Sequence, residues 1–140
     1  MKKGFTLIEL LIVIAVISIL SAITLSVINV ARVRGRAQDA TRREAISTIA
    51  GALERMYSDT NSYPNTGTNY VPTSILQSYK LTEYIKVLPS DPINTQNYLY
   101  KSTDGQNFCL CYTSETEVEN LNGCADPPVV GNQICLRNPF

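Results

Sequence analysis

The residues that could do chemistry in this chain are one carboxylate near the N-terminus and four cysteines near the C-terminus. Glu9 is the sole charged residue between Lys3 and Arg32. A carboxylate inside an apolar run costs on the order of 3 kcal/mol in a membrane, so its presence at this position requires an explanation. The cysteines are even in number and confined to one polar region, which indicates an oxidising, non-cytosolic compartment. They are Cys109, Cys111, Cys124 and Cys135.

The composition argues against catalysis and against nucleic-acid binding. The 12 basic and 12 acidic side chains balance, and the chain has no histidine, the most frequent general acid or base. No phosphate-binding loop is present, and outside the acidic tail no paired-carboxylate signature is found. We therefore predict a protein that is not an enzyme and has no cofactor, and no specific nucleic-acid partner is evident from the sequence. We interpret the basic cluster as a solvated or subunit-facing stem at the membrane surface; it comprises Arg32, Arg34, Arg36, Arg42 and Arg43.

The element that positions Glu9 is a long apolar segment. Residues 10–30 contain no charge and no proline, and 14 of these 21 residues are Leu, Ile or Val. That length spans a bilayer as a helix. Insertion gains roughly 4–8 kcal/mol, which exceeds the cost of the single carboxylate. The run is too long for the core of a cleaved secretory signal, about 7–15 residues, and a plain membrane anchor would leave Glu9 unexplained.

The N-terminal residues carry a family resemblance. The N-terminus begins with a short basic leader, followed by Gly4, Phe5, a glutamate four residues after Phe5 and about 20 apolar residues. This pattern resembles the class III signal of type IV pilins and of the related pseudopilins of type II secretion. The resemblance implies that a prepilin peptidase cuts after Gly4 and methylates the new N-terminal Phe5. It also implies that Glu9 pairs with the N-terminal amine of a neighbouring subunit and sets the register during assembly. An isolated amine in an apolar environment needs such a partner.

The resemblance implies a structural function. We expect a prepilin that polymerises into a type IV pilus-like filament, with other pilin subunits, the prepilin peptidase/methyltransferase and the inner-membrane assembly machinery as partners. Before assembly it would be a single-pass membrane protein whose head lies outside the cytoplasm. After assembly it would lie in a cell-surface or periplasmic filament. The alternatives are the major pseudopilin of a type II secretion system, or a minor pilin that serves as a binding module for adhesion or DNA uptake.

We predict an α+β fold in which a long N-terminal helix packs on a small antiparallel β-sheet head, the pilin fold. One continuous helix is expected from about Phe5 to Ser58, with Gly35 or Gly51 permitting a bend. Many family members have helix breakers at the positions of Ser18 and Ser26, which this chain lacks. The expected divisions are a leader at 1–4, a transmembrane or filament-core helix at 5–31, an amphipathic stem helix at 32–58 and a head at 59–140. The stem stripe that should face the core is Ile46, Ile49, Leu53 and Met56.

The head is expected to contain a loop at 59–72, short helical turns at 73–87 and a rigid turn at 88–92. The alternating runs 98–101 and 108–112 flank Asp104-Gly105, which predicts a β-hairpin. Alternation places Phe108, Leu110 and Tyr112 on the face toward the stem helix and the cysteines on the other face. The segments at 61–64 and 88–92 resemble those of the major pseudopilin subgroup.

The four cysteines leave two pairings open. Cys109 and Cys111 are poorly placed to bond each other, so Cys109 pairs with Cys124 or Cys135, and Cys111 takes the other. A zinc site fits the C-x-C spacing poorly, and we predict no metal. Because major pseudopilins bind calcium in a C-terminal loop, calcium stays an open alternative for the oxygen-rich cluster in the tail. The cluster comprises Glu115, Glu117, Glu119, Asn120, Asn122 and Asp126.

Overall fold

A computed structural model describes residues 4–27, 29–93, 98–117, 122–124 and 132–138 of the chain. For residues 23–27 it describes the backbone alone. The chain divides into two compact units, Met1–Arg34 and Gly35–Phe140. The first unit holds helix α1 (Leu7–Val27) and the first turn of helix α2 (Val30–Thr60). The second unit holds the rest of α2 and a four-stranded sheet.

The prediction of one continuous helix is wrong, because α1 ends at Val27 and α2 starts afresh at Val30. Asn29 is not helical and caps α2. Its side-chain Oδ1 accepts a hydrogen bond from the backbone N–H of Arg32 at 3.1 Å, and its carbonyl accepts one from Val33 at 3.1 Å. Asparagine favours this role because its side chain replaces a missing helix hydrogen bond. Gly35 and Gly51, where a bend was expected, lie inside α2.

Helix α1 runs without interruption past Ser18, whose hydroxyl donates to the carbonyl of Ile14 at 2.7 Å. Its large apolar side chains from Leu7 to Leu20 are between 48% and 83% exposed. In the described ranges, no helix combines the length and the apolarity needed to cross a membrane.

The sheet is antiparallel throughout and follows chain order. Its strands are β1 (Val71–Pro72), β2 (Leu99–Lys101), β3 (Cys109–Thr113) and β4 (Gln133–Arg137). The predicted hairpin is confirmed, since Leu99 pairs with Cys111 across β2 and β3. Two 3₁₀ helices, Thr73–Gln77 and Leu81–Glu83, confirm the expected short helical turns. Strand β4 was not predicted, because its five residues lie in a polar tail with little alternation to mark them.

The core lies between α2 and one face of the sheet. Ile49, Leu53 and Leu110 are fully buried there, and the ring of Phe108 meets that of Tyr63 edge-on at 4.8 Å between centroids. The expected stem stripe is confirmed, except that Met56 at its end is only partly buried. Phe108, just before β3, packs with Leu110 and Tyr112 of β3 in the core beside α2, as predicted. The cysteines of β3 lie on the opposite face.

Candidate functional site

The N-terminal segment places Glu9 in the first turn of α1, where it caps the helix. Glu9 Oε2 accepts hydrogen bonds from the backbone N–H of Thr6 at 2.9 Å and from the Thr6 hydroxyl at 2.8 Å. In return, the N–H of Glu9 donates to Thr6 Oγ1 at 3.4 Å. This reciprocal arrangement is a capping box, and it orients the carboxylate at the start of the apolar helix. Sequence reasoning missed Thr6, although the spacing Thr-x-x-Glu was a readable signal.

Gly4 and Phe5 precede α1 in an exposed, non-helical stretch. A Cβ added to Gly4 would meet nothing within 4 Å, so no contact with a described residue requires a glycine there. The Phe5 side chain is 81% exposed. The structure therefore brings the three predicted residues Gly4, Phe5 and Glu9 into one accessible segment that an enzyme or a second subunit could reach.

A buried arginine ties α2 to the head. The Arg42 side chain is completely buried, and its guanidinium donates from Nε to Asp91 at 2.6 Å, from Nη1 to Asp39 at 3.0 Å and from Nη2 to Glu115 at 3.2 Å. The prediction that Arg42 belongs to a solvated basic cluster is wrong. Arg42 precedes Ile46 by four residues and Ile49 by seven, so all three lie on the same face of the helix. This spacing was the sequence signal for the burial of Arg42.

Asp39 completes this network by binding the loop at 114–117. Its carboxylate accepts hydrogen bonds from the backbone N–H groups of Glu115 and Thr116, and from the hydroxyls of Ser114 at 2.8 Å and Thr116 at 2.7 Å. Burial opposes ionisation, but these donors and Arg42 outweigh it and lower the pKa of Asp39 to about 2. Hydrogen bonding to Asp91, working against burial, raises the pKa of Arg42. Asp39 and Arg42 are therefore both charged at neutral pH.

The loop approaches α2 so closely that only glycine fits at position 35. A Cβ on Gly35 would lie 2.7 Å from Cγ2 of Thr116, well inside van der Waals contact. Thr116 is held in place by its hydrogen bonds to Asp39, so it cannot retreat without breaking them. Gly35 therefore permits the close contact between α2 and the loop.

Two members of the predicted oxygen-rich cluster are engaged with arginines: Glu115 binds Arg42, and Glu117 binds Arg43. Asn122 donates to the carbonyl of Cys135. The other three members, Glu119, Asn120 and Asp126, lie outside the described residues. Among the residues that the structure describes, no group of acidic or cysteine side chains is arranged to hold a metal ion.

The cysteines form the two disulfides Cys109–Cys124 and Cys111–Cys135, one of the two pairings left open. Cys111 and Cys135 face each other directly across β3 and β4 and are at most 1% exposed. These bonds attach β4 and the turn at 122–124 to the central strand. They replace the apolar burial that this polar region cannot provide.

Comparison with known proteins finds a matching family model and related proteins. Residues 1–25 match the family described as "Prokaryotic N-terminal methylation motif". The type II secretion system core protein G of Escherichia coli (strain K12) is 31% identical over 101 residues, 65% of this chain and 66% of that protein. The core protein G of Aeromonas hydrophila is 34% identical over 101 residues, 65% of this chain and 67% of that protein. No solved structure matches the chain.

The fold and the N-terminal motif together define a pilin-like structural subunit, with an apolar helix followed by an α+β head. The chain belongs to the family of type IV pilins and type II secretion pseudopilins. The aligned part spans about two thirds of the length of the two core G proteins.

Proposed function

We propose that this chain is a prepilin that is cleaved after Gly4, methylated on Phe5 and polymerised through α1 into a pilus-like filament. The observation that carries the proposal is the match of residues 1–25 to the N-terminal methylation motif. The exposed, unpacked segment before α1 supports it, because a peptidase needs extended and accessible backbone around the bond that it cuts.

The capping box suggests how assembly would follow cleavage. The cut leaves a charged amine on Phe5 beside an apolar helix, where it is costly unless paired. Glu9 Oε2 is occupied by Thr6, whereas Oε1 accepts no hydrogen bond from any described residue. In the proposed filament, Oε1 receives the amine of the neighbouring subunit while Thr6 keeps the carboxylate in position.

The large apolar side chains of α1 from Leu7 to Leu20 are exposed in this structure. We infer that α1 resides in the membrane before assembly and in the filament core afterwards, since both environments bury the side chains now exposed. Two disulfides are consistent with a head outside the cytoplasm. The proposed partners are the prepilin peptidase/methyltransferase and the inner-membrane assembly machinery.

A second candidate function is that of a pseudopilus subunit in a type II secretion system. The observation that favours it is that both relatives named above are core G proteins of such systems. Deleting the gene in its native host distinguishes the two functions. Loss of protein export without loss of surface fibres supports the pseudopilus, whereas loss of surface fibres supports the pilus.

The test of assembly is the substitution Glu9→Gln, compared with Glu44→Gln, an exposed glutamate of α2 with no ion pair among the described residues. Glutamine keeps the acceptor for Thr6 but removes the charge that would pair with the amine. We expect E9Q subunits to be processed normally and to be absent from sheared filaments, while E44Q subunits assemble as the wild type does. Filaments built from E9Q subunits at the wild-type level would contradict the proposed pairing.

A further inference from the structure

A small cleft with two cationic side chains opens on the face of the sheet opposite α2. Its volume is about 230 Å³. Lys101, Cys109 and Arg137 form one cross-strand row, because Lys101 pairs with Cys109 and Cys109 pairs with Arg137. Residues directly opposite each other on neighbouring strands share a face, so the two cations flank the cysteine about 10 Å apart at their Cα atoms.

Neither cation is neutralised by a carboxylate among the described residues. Lys101 lies over the ring of Tyr70, with Nζ 5.2 Å from its centroid, and Arg137 Nη2 donates to Asn107 Oδ1 at 3.3 Å. Asp104 also lines the cleft, but its carboxylate accepts three hydrogen bonds from its own turn: two from Asn107 and one from the N–H of Gln106. The three charged lining residues therefore sum to +1, and the acidic one is already satisfied.

The exposed side chain of Arg137 contacts Asn107 and the turn at 122–124. Nη1 of Arg137 lies 3.7 Å from the position of a Cβ on Gly123, so the guanidinium packs against the turn that contains this glycine. That turn is fastened by the Cys109–Cys124 disulfide and by the hydrogen bond from Asn122 Nδ2 to the carbonyl of Cys135 at 2.8 Å. A preorganised guanidinium fork is the group best suited to bind a carboxylate through two parallel hydrogen bonds.

We propose that this cleft is a receptor for an acidic side chain, an aspartate or glutamate presented by a partner protein. Pockets for small-molecule ligands usually measure about 300–1,000 Å³, so a cleft of this size fits one side chain and not a larger ligand. Lys101 and Arg137 supply the charge, and Arg137 also supplies the bidentate geometry. Both lie within the unit Gly35–Phe140, so the proposal does not depend on cleavage or polymerisation.

The experiment measures fluorescence anisotropy of a labelled hexaglutamate peptide with the full-length, uncleaved protein in neutral detergent. The hexaglutamine peptide is the control ligand. We expect hexaglutamate to bind, more weakly as salt is added, and hexaglutamine not to bind. Arg137→Gln and Lys101→Gln should each weaken binding about tenfold, the typical weight of a charge-assisted hydrogen bond. Lys86→Gln, which removes an exposed lysine elsewhere in the head, should leave binding unchanged.

One further variant tests the charge of the cleft. Asp104→Asn should strengthen binding, since it removes a negative charge from the cleft. Equal affinity of R137Q, K101Q and wild type for hexaglutamate would overturn the proposal. Binding of inorganic phosphate without binding of the peptide would also overturn it, because it would show a small-anion site.

Discussion

Replacing Arg42 with methionine removes the charge that three carboxylates share while keeping an unbranched apolar stem. Arg42 is fully buried, Asp39 and Asp91 have side chains only 2% exposed, and Glu115 is 38% exposed. Breaking a buried ion pair from one side costs roughly 3–5 kcal/mol, because the remaining charges are left uncompensated. That is a large part of the roughly 5–15 kcal/mol that stabilises a typical domain. We expect R42M to lower the melting temperature of the head by at least about 10 °C.

The assay uses the tyrosines of the full-length protein in detergent. All eight tyrosines lie beyond residue 56, so near-ultraviolet circular dichroism reports the unfolding of the head without a contribution from α1. Arg36→Met is the matched control, because Arg36 is exposed and forms no ion pair among the described residues. It should change stability by less than about 0.5 kcal/mol. If R42M unfolds at the same temperature as R36M, the reasoning about the buried network is refuted.

Three further predictions follow from the same contacts. Gly35→Ala should destabilise the head by about 1–3 kcal/mol, because the added Cβ meets Thr116. Gly51→Ala adds a Cβ in open space and should stabilise the head by up to about 1 kcal/mol. Equal effects of the two substitutions in denaturant titrations would contradict the steric argument. Since the pKa of Asp39 is lowered from 3.8 to about 2, its contribution to stability, on the order of 2 kcal/mol, is complete above pH 5 and is lost as the pH falls through 2. Asp39→Asn should flatten that part of the stability profile, and an unchanged acid limb would show that other groups dominate. Replacing Cys109 and Cys124 with alanine should lower the free energy of unfolding by roughly 3 kcal/mol, because the bond closes a loop with a sequence separation of 15. Partial reduction with alkylation should recover the Cys109–Cys124 pair and never a Cys109–Cys135 pair.

Local patterns predicted the larger elements of this fold. The spacing of Ile46, Ile49 and Leu53 identified the buried face of α2, and Asp104-Gly105 identified the hairpin. The cysteine spacing restricted the disulfides to two pairings but could not choose between them. The choice depends on β4 lying beside β3, which places Cys135 opposite Cys111. Only the three-dimensional register holds that information.

The missed features have physical reasons as well. The interruption of the helix depends on Asn29, a residue that a hydrophobicity pattern treats as one polar position among many. Arg42 was assigned to the surface because an arginine is rarely buried unless it is paired, and its partners Asp91 and Glu115 are 49 and 73 residues away in the sequence. The cleft between Lys101 and Arg137 is likewise formed by residues of β2 and β4, which lie far apart in the sequence.

The most direct test of the account is the intact mass of the protein recovered from the membrane and filament fractions of its native host. The account predicts a chain that begins at Phe5 and carries one added methyl group, with a gain of four hydrogens when both disulfides are reduced. A chain that retains Met1–Gly4, or that is cut within or after α1, would contradict processing as a prepilin and would leave a plain membrane anchor or a secreted domain.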